Sequence, residues 1–111
     1  MVKVYKVKIT RQAKDNLQSI HKYISEDLSA PDAFKNILSL LKAEIKSLST
    51  MPERIKLIED KRWKSEGIRK MLVRNFFVYF WIDEEKDIVQ VIGVVYIARN
   101  QAVQLDLMKL Q

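Results

Sequence analysis

Residues 67–101 read GIRKMLVRNFFVYFWIDEEKDIVQVIGVVYIARNQ, three apolar runs separated by two short polar breaks. Runs of this length, rich in Val, Ile, Phe, Tyr and Trp and bounded by turn residues, predict three consecutive strands. In residues 76–82 both alternating sets are bulky: Phe76, Val78, Phe80 and Ile82 on one side, Phe77, Tyr79 and Trp81 on the other. In the next run Val89, Val91 and Val95 are placed opposite Ile92, Val94 and Tyr96. A strand with one wet face alternates apolar with polar, so this near-continuous apolarity predicts a sheet covered on both faces. Asp83-Glu84-Glu85-Lys86-Asp87 between the two longest runs reads as a solvated hairpin tip.

Upstream, the period changes. Tyr5, Val7 and Ile9 alternate with Lys6 and Lys8, a period of two that predicts a first strand. Thr10 then suits a helix N-cap, and Ala13, Leu17, Ile20 and Ile24 follow at spacings of four, three and four. Pro31 and Asp32 suit the start of a second helix, whose stripe is Phe34, Ile37, Leu41, Ile45 and Leu48 and whose stop is Met51-Pro52. Two such helices, joined by a short break, are expected to pair as a hairpin against the sheet. Residues 53–66 are charged and unpatterned, predicting irregular chain with a short strand near Ile55 to Ile58. Beyond the last strand, Val103, Leu105, Leu107, Met108 and Leu110 are spaced for a short C-terminal helix that covers the second sheet face, a role a separate protein also fits. The fold class is therefore α+β in the order β-α-α-β-β-β, a two-helix hairpin on a twisted antiparallel sheet, as one domain spanning residues 1–111.

Composition narrows the chemistry. A chain of 111 residues forms one domain that buries about 65% of its unfolded surface. Lys plus Arg number 20 against 14 Asp plus Glu, a formal net charge of +6, which favours a polyanion or an acidic protein as partner. There is no cysteine and only one histidine, so disulfides, thiolate chemistry and the usual zinc sites are excluded, and no cofactor is expected. Lysines interrupt the N-terminus and no apolar run is long enough to span a bilayer, so a cytoplasmic protein without membrane or small-molecule partners is expected. His21 lies beside the first helical stripe, where packing explains it. No serine stands in a triad context and no glycine-rich phosphate loop occurs.

Gly67-Ile68-Arg69, Asn75-Phe76, Asp83-Glu84-Glu85 and Tyr96-x-x-Arg99, in this element order, resemble the RelE/ParE toxins of bacterial type II toxin-antitoxin pairs. The resemblance covers nearly the whole chain. It implies a growth-arresting toxin held inactive by a cognate antitoxin, commonly acidic in its toxin-binding tail. RelE-like members cut mRNA in the ribosomal A site without metal, letting the RNA 2′-hydroxyl attack the adjacent phosphate while basic groups hold the developing charge. On that reading the catalytic candidates are Arg99, Arg69, Lys70, Arg74 and Tyr96, with Lys61, Arg62 and Lys64 as nucleic-acid contacts. Arg99 matches the basic position after the last strand, and Lys70 falls near a catalytic lysine. Two positions depart from the nuclease pattern: the expected catalytic arginine is Phe77, and the expected C-terminal tyrosine is Leu105. ParE-like members share the fold, generally lack the nuclease set and poison DNA gyrase, which requires a binding surface and no catalytic residue. Target class thus stays open between mRNA on the ribosome and gyrase. A non-toxic basic RNA-binding module, or an inactive toxin-fold binding protein, is the alternative.

Overall fold

A computed structural model describes residues 3–97. The elements are β1 (Lys6–Ile9), α1 (Arg11–Lys22), α2 (Pro31–Lys46), α3 (Lys61–Ser65), β2 (Arg69–Val73), β3 (Phe76–Asp83) and β4 (Ile88–Tyr96). Arg99 and the anticipated C-terminal helix lie outside the described residues.

Thr10 does cap α1, its hydroxyl oxygen accepting from the Ala13 amide at 3.3 Å, while the same hydroxyl donates to the Val91 carbonyl at 3.0 Å. One residue therefore fixes both the start of the helix and its position over β4. The first helix is shorter than its stripe, because residues Tyr23–Asp27 widen into a π-helical turn that still buries Ile24. Pro31 opens α2, and Phe34, Leu41, Ile45 and Leu48 are buried. His21 stacks on Phe34 with ring centroids 4.3 Å apart, a packing role. After α2 the chain turns through Met51, which holds a left-handed φ of 48°. Arg54 stitches that turn, donating to the carbonyls of Thr50 and Met51 at 2.7 and 3.0 Å.

The sheet order is β1-β4-β3-β2. As expected, β2, β3 and β4 form an antiparallel meander. The first strand departs from the purely antiparallel expectation, running parallel to β4 with Lys6 opposite Ile88 and Ile9 opposite Val91. Parallel neighbours need a long crossover, and the helical hairpin supplies it. β1 ends at Ile9, opposite Val91, leaving the Val94 amide without a strand partner on that side; Asn16 on α1 accepts from it at 3.1 Å.

A bulge alters the faces of β4. Tyr79 opposes Gly93 and Phe80 opposes Val91, so Ile92 is the extra residue and the alternation reverses beyond it. Val94, grouped by simple alternation with Ile92, is instead buried with Val89 and Val91 under the helices. Val95 falls on the opposite face, opposite Phe77. Cross-strand partners share a face, so the helix-covered side is built from rows such as Met71–Val78–Val94 and the far side from Lys70–Tyr79–Gly93 and Leu72–Phe77–Val95.

Residues 53–66 are more ordered than their pattern suggests. Asp60 caps α3 by accepting from the Arg62 and Trp63 amides at 3.0 and 3.4 Å. The anticipated strand near Ile55 to Ile58 reduces to one bridge, Leu57 with Arg69, and the Ile58 amide donating to the Ile68 carbonyl at 2.9 Å. The hairpin tip is also less free than a solvated turn. Lys3 forms ion pairs with Glu84 at 3.3 Å and Asp87 at 2.8 Å, and the Tyr5 hydroxyl donates to Glu84 at 3.0 Å. These bonds tie the tip to the N-terminal strand and raise the Lys3 pKa, the bond to Asp87 foremost.

Candidate functional site

Among the described residues the sequence-derived candidates do not converge on one point. Arg69 and Arg74 flank β2 at opposite ends, about 16 Å apart at the usual strand rise. Arg69 is engaged structurally, its guanidinium donating to the Ile55 carbonyl at 2.6 Å and the Glu53 carbonyl at 3.4 Å. Backbone carbonyls of the preceding loop thus hold this guanidinium in place.

Arg74 and Tyr96 do come together. Arg74 occupies the two-residue turn between β2 and β3 with φ 51°, a conformation costly for a side chain with a Cβ. Tyr96 closes β4, stacked on Phe76 at 4.7 Å and meeting Tyr23 edge-on at 6.0 Å. Together with Ile37, Leu40 and Asn75 they line a narrow cleft of about 60 Å³ at this end of the sheet. One face of the Tyr96 ring is thus already taken by Phe76.

Lys70 and the α3 cations lie elsewhere, on the sheet face away from the helices. The Lys70 ammonium sits 4.5 Å from the centroid of Phe77, and the Arg62 guanidinium 5.2 Å from that of Trp63. Between them no other described residue covers the sheet. One cleft of about 400 Å³ is lined by Arg62, Trp63, Glu66, Ile68, Trp81 and Ile92. A second, of about 460 Å³, shares Trp63, Ile68 and Ile92 with it and extends past Tyr79 and Gly93 to Gln12 and Asn16 on α1. Trp63 is 44% exposed and Leu72 63% exposed. Burial in this groove raises the Tyr79 pKa.

This groove is the feature that residue-by-residue reasoning about charge does not find. Its signal is present in the sequence all the same: the doubly apolar β3, and the lone Trp63 in a charged segment. Chemically the surface offers aromatic rings with cations laid against them, suited to holding an apolar ligand with negative charge at its margins. Phosphate-cradling chemistry needs donors aimed at a shared centre; here Arg69, Lys70 and Arg74 are held at separate places. Among the described residues no three metal-ligating side chains converge, and no helix is long and apolar enough to cross a membrane.

Similarity to known proteins accords with this fold. The chain is similar to a solved structure of the chromosomal ParDE toxin-antitoxin system from P. aeruginosa, with a TM-score of 0.70 at 16% identity, covering 85% of this chain and 97% of that one. It is also similar to the RelBE2 toxin-antitoxin complex from Mycobacterium tuberculosis, with a TM-score of 0.58 at 18% identity and coverage of 84% and 91%. No curated protein sequence matches. The family model for the ParE toxin of the type II toxin-antitoxin system parDE matches residues 7–100, and the chain accordingly belongs to the ParE toxin family.

Proposed function

We propose that this toxin arrests growth by binding DNA gyrase rather than by cutting mRNA, and that a cognate antitoxin with an acidic toxin-binding segment holds it inactive. The observation that carries the reading is Phe77. Where the nuclease pattern calls for a catalytic arginine, this chain presents an aromatic ring with Lys70 resting on it at 4.5 Å. Loss of one phosphate-stabilising donor typically costs about a hundredfold or more in rate, and the guanidinium of Arg69 is engaged by carbonyls of another segment. A binding poison needs no such donor. Its apolar and basic surface suffices.

The test sets two assays side by side on purified toxin: supercoiling by gyrase, and mRNA cleavage in a translating extract mapped by primer extension. Inhibited supercoiling without cleavage is expected. A-site cleavage with gyrase untouched overturns the proposal in favour of the nuclease reading, and absence of growth arrest on induced expression points to a toxin-fold binding protein. Arg99→Ala is expected to weaken toxicity without unfolding the domain; full toxicity removes Arg99 from the site.

A further inference from the structure

We infer that the cleft at the turn end of the sheet, where Arg74 and Tyr96 meet α2, is the surface through which this toxin grips its target protein, by accepting an acidic side chain flanked by aliphatic ones. The inference names the contact site of the proposed gyrase binding and rests on that reading.

The turn accounts for the backbone here but not for the residue. Val73 pairs with Phe76, so Arg74 and Asn75 alone connect β2 to β3, and Arg74 holds φ 51°. Two-residue hairpins call for Gly, Asn or Asp where φ is positive; an arginine, with its Cβ, is disfavoured there. The side chain returns nothing to the fold. Arg54 and Arg69 commit their guanidiniums to backbone carbonyls at 2.7 and 2.6 Å. Arg74 is exposed and has no hydrogen bond or ion pair among the described residues. An unengaged cation at a position that disfavours it points outward, to a ligand.

The surroundings define that ligand. Arg74 belongs to two adjoining clefts, one of about 60 Å³ bounded by Ile37, Leu40, Asn75 and Tyr96, the other of about 230 Å³ bounded by Asn36, Ile37 and Leu40. Sharing Ile37 and Leu40, they form one depression with a single guanidinium, two carboxamides, a phenol and an aliphatic floor. Among the described residues no carboxylate lines it. A guanidinium fork matches a carboxylate through two parallel hydrogen bonds, and the aliphatic floor takes the neighbouring apolar side chain. A nucleic-acid backbone calls for several cations along a track, or for rings on which bases stack. Here there is one cation, and one face of Tyr96 is covered by Phe76. The walls are already fixed: Ile37 and Leu40 pack against the core, and Tyr96 is held by Phe76 and Tyr23 at 4.7 and 6.0 Å. Only Arg74 has to be ordered on binding, which keeps the entropic cost low.

The chain contains no cysteine, so Asn36→Cys on the exposed rim carries a single fluorophore and reports from this cleft. Lys42→Cys, exposed further along α2, is the reference position. Purified gyrase is titrated into each labelled toxin, and inhibition of supercoiling is measured for unlabelled wild type, Arg74→Glu, Arg74→Gly, Asn36→Asp and Lys42→Glu. The label at position 36 is expected to respond to gyrase and the label at position 42 to stay unchanged. Arg74→Glu is expected to raise the toxin concentration for half-inhibition about thirtyfold, the scale of a central arginine contact. Asn36→Asp, which sets a carboxylate beside the incoming one, is expected to raise it about tenfold. Arg74→Gly relaxes the turn, so its thermal stability is expected to rise while inhibition falls, a combination that no folding defect produces. Lys42→Glu is expected to inhibit like wild type. Full inhibition by both Arg74 variants, with a silent label at position 36, overturns the cleft and leaves the gyrase reading standing. A response of that label to a short DNA duplex alone, or to unlabelled toxin alone, gives the cleft to a phosphate backbone or to a second copy and overturns it as well. Wild type that leaves supercoiling untouched defeats the gyrase reading, and the cleft with it.

Discussion

The two faces of one sheet, made from the same kinds of side chain, meet different fates. Toward the helices, Val78, Phe80, Val89 and Val91 are completely buried. On the far face, Phe77, Tyr79, Trp81 and Val95 stay partly exposed, and their neighbours are cations and an isolated α3. Apolar residues on the first face form the core; those on the second are half-buried and contribute less burial to the fold. The difference lies in what covers each face and not in the side chains themselves.

The largest expected effect breaks the comparison most directly. Phe80→Ala leaves a cavity at the centre of the core and is expected to cost about 3–5 kcal/mol of stability. Trp81→Ala, one residue along and pointing the other way, is expected to cost about 1 kcal/mol, with its loss falling on partner binding instead. Urea unfolding of the two variants measures this, and equal losses would mean the far face is as much core as the near one.

Next in size is Arg69. Its guanidinium satisfies two carbonyls of the loop that leads toward α3, so Arg69→Ala is expected to destabilise by about 1–2 kcal/mol. Any fall in toxicity should follow that loss and recover when a stabilising background is supplied. Toxicity lost at full stability would make Arg69 a contact to the target after all.

Arg74 behaves oppositely. Its positive φ is one that a two-residue hairpin turn demands and glycine adopts without strain, so Arg74→Gly is expected to gain about 0.5–1 kcal/mol. Should the Arg74–Tyr96 end of the sheet contact the target, the same change lowers toxicity while raising the melting temperature. A variant both less stable and fully toxic removes Arg74 from the candidate site.

Much of this was legible from periodicity. Helix stripes, the first strand, the meander and the Thr10 cap follow from apolar spacing and one hydroxyl, all local signals. What stayed hidden was non-local. The bulge at Ile92 cannot be read from alternation, because nothing in a run of valines and isoleucines marks which residue goes unpaired, and it reverses the faces of Val94 and Val95. α3 is only five residues long and rests on the Asp60 cap, too short for a period. The sheet's second face read correctly as apolar, but apolarity does not say whether a helix, a tail or another protein covers it. The basic residues were hardest. Arg69 interrupts an apolar run as a functional residue would, and only its carbonyl partners, fourteen and sixteen residues back in the chain, reveal a structural one.

The finest test of the comparison is a proton. Tyr5 on the covered side and Tyr79 on the open side both have pKa values raised by burial, with a hydrogen bond to Glu84 adding to the effect at Tyr5. A phenol with a folded pKa above its unfolded value of about 10 favours the native state while both states remain protonated. That contribution disappears as pH climbs through the folded pKa, since the unfolded chain then loses its proton first. Tyr79→Phe is therefore expected to flatten the decline of stability above about pH 10 relative to wild type, by less than any change above because the ring is only partly covered. A partner laid over the far face is expected to exclude the remaining water from Tyr79 and raise its pKa further, while Tyr5, whose hydroxyl is already bonded to Glu84, stays where it was. Difference titration of the phenols, free and bound, reads both in one experiment. Parallel shifts at Tyr5 and Tyr79 would signal a general tightening of the fold; a shift confined to Tyr79 locates the partner on the open face.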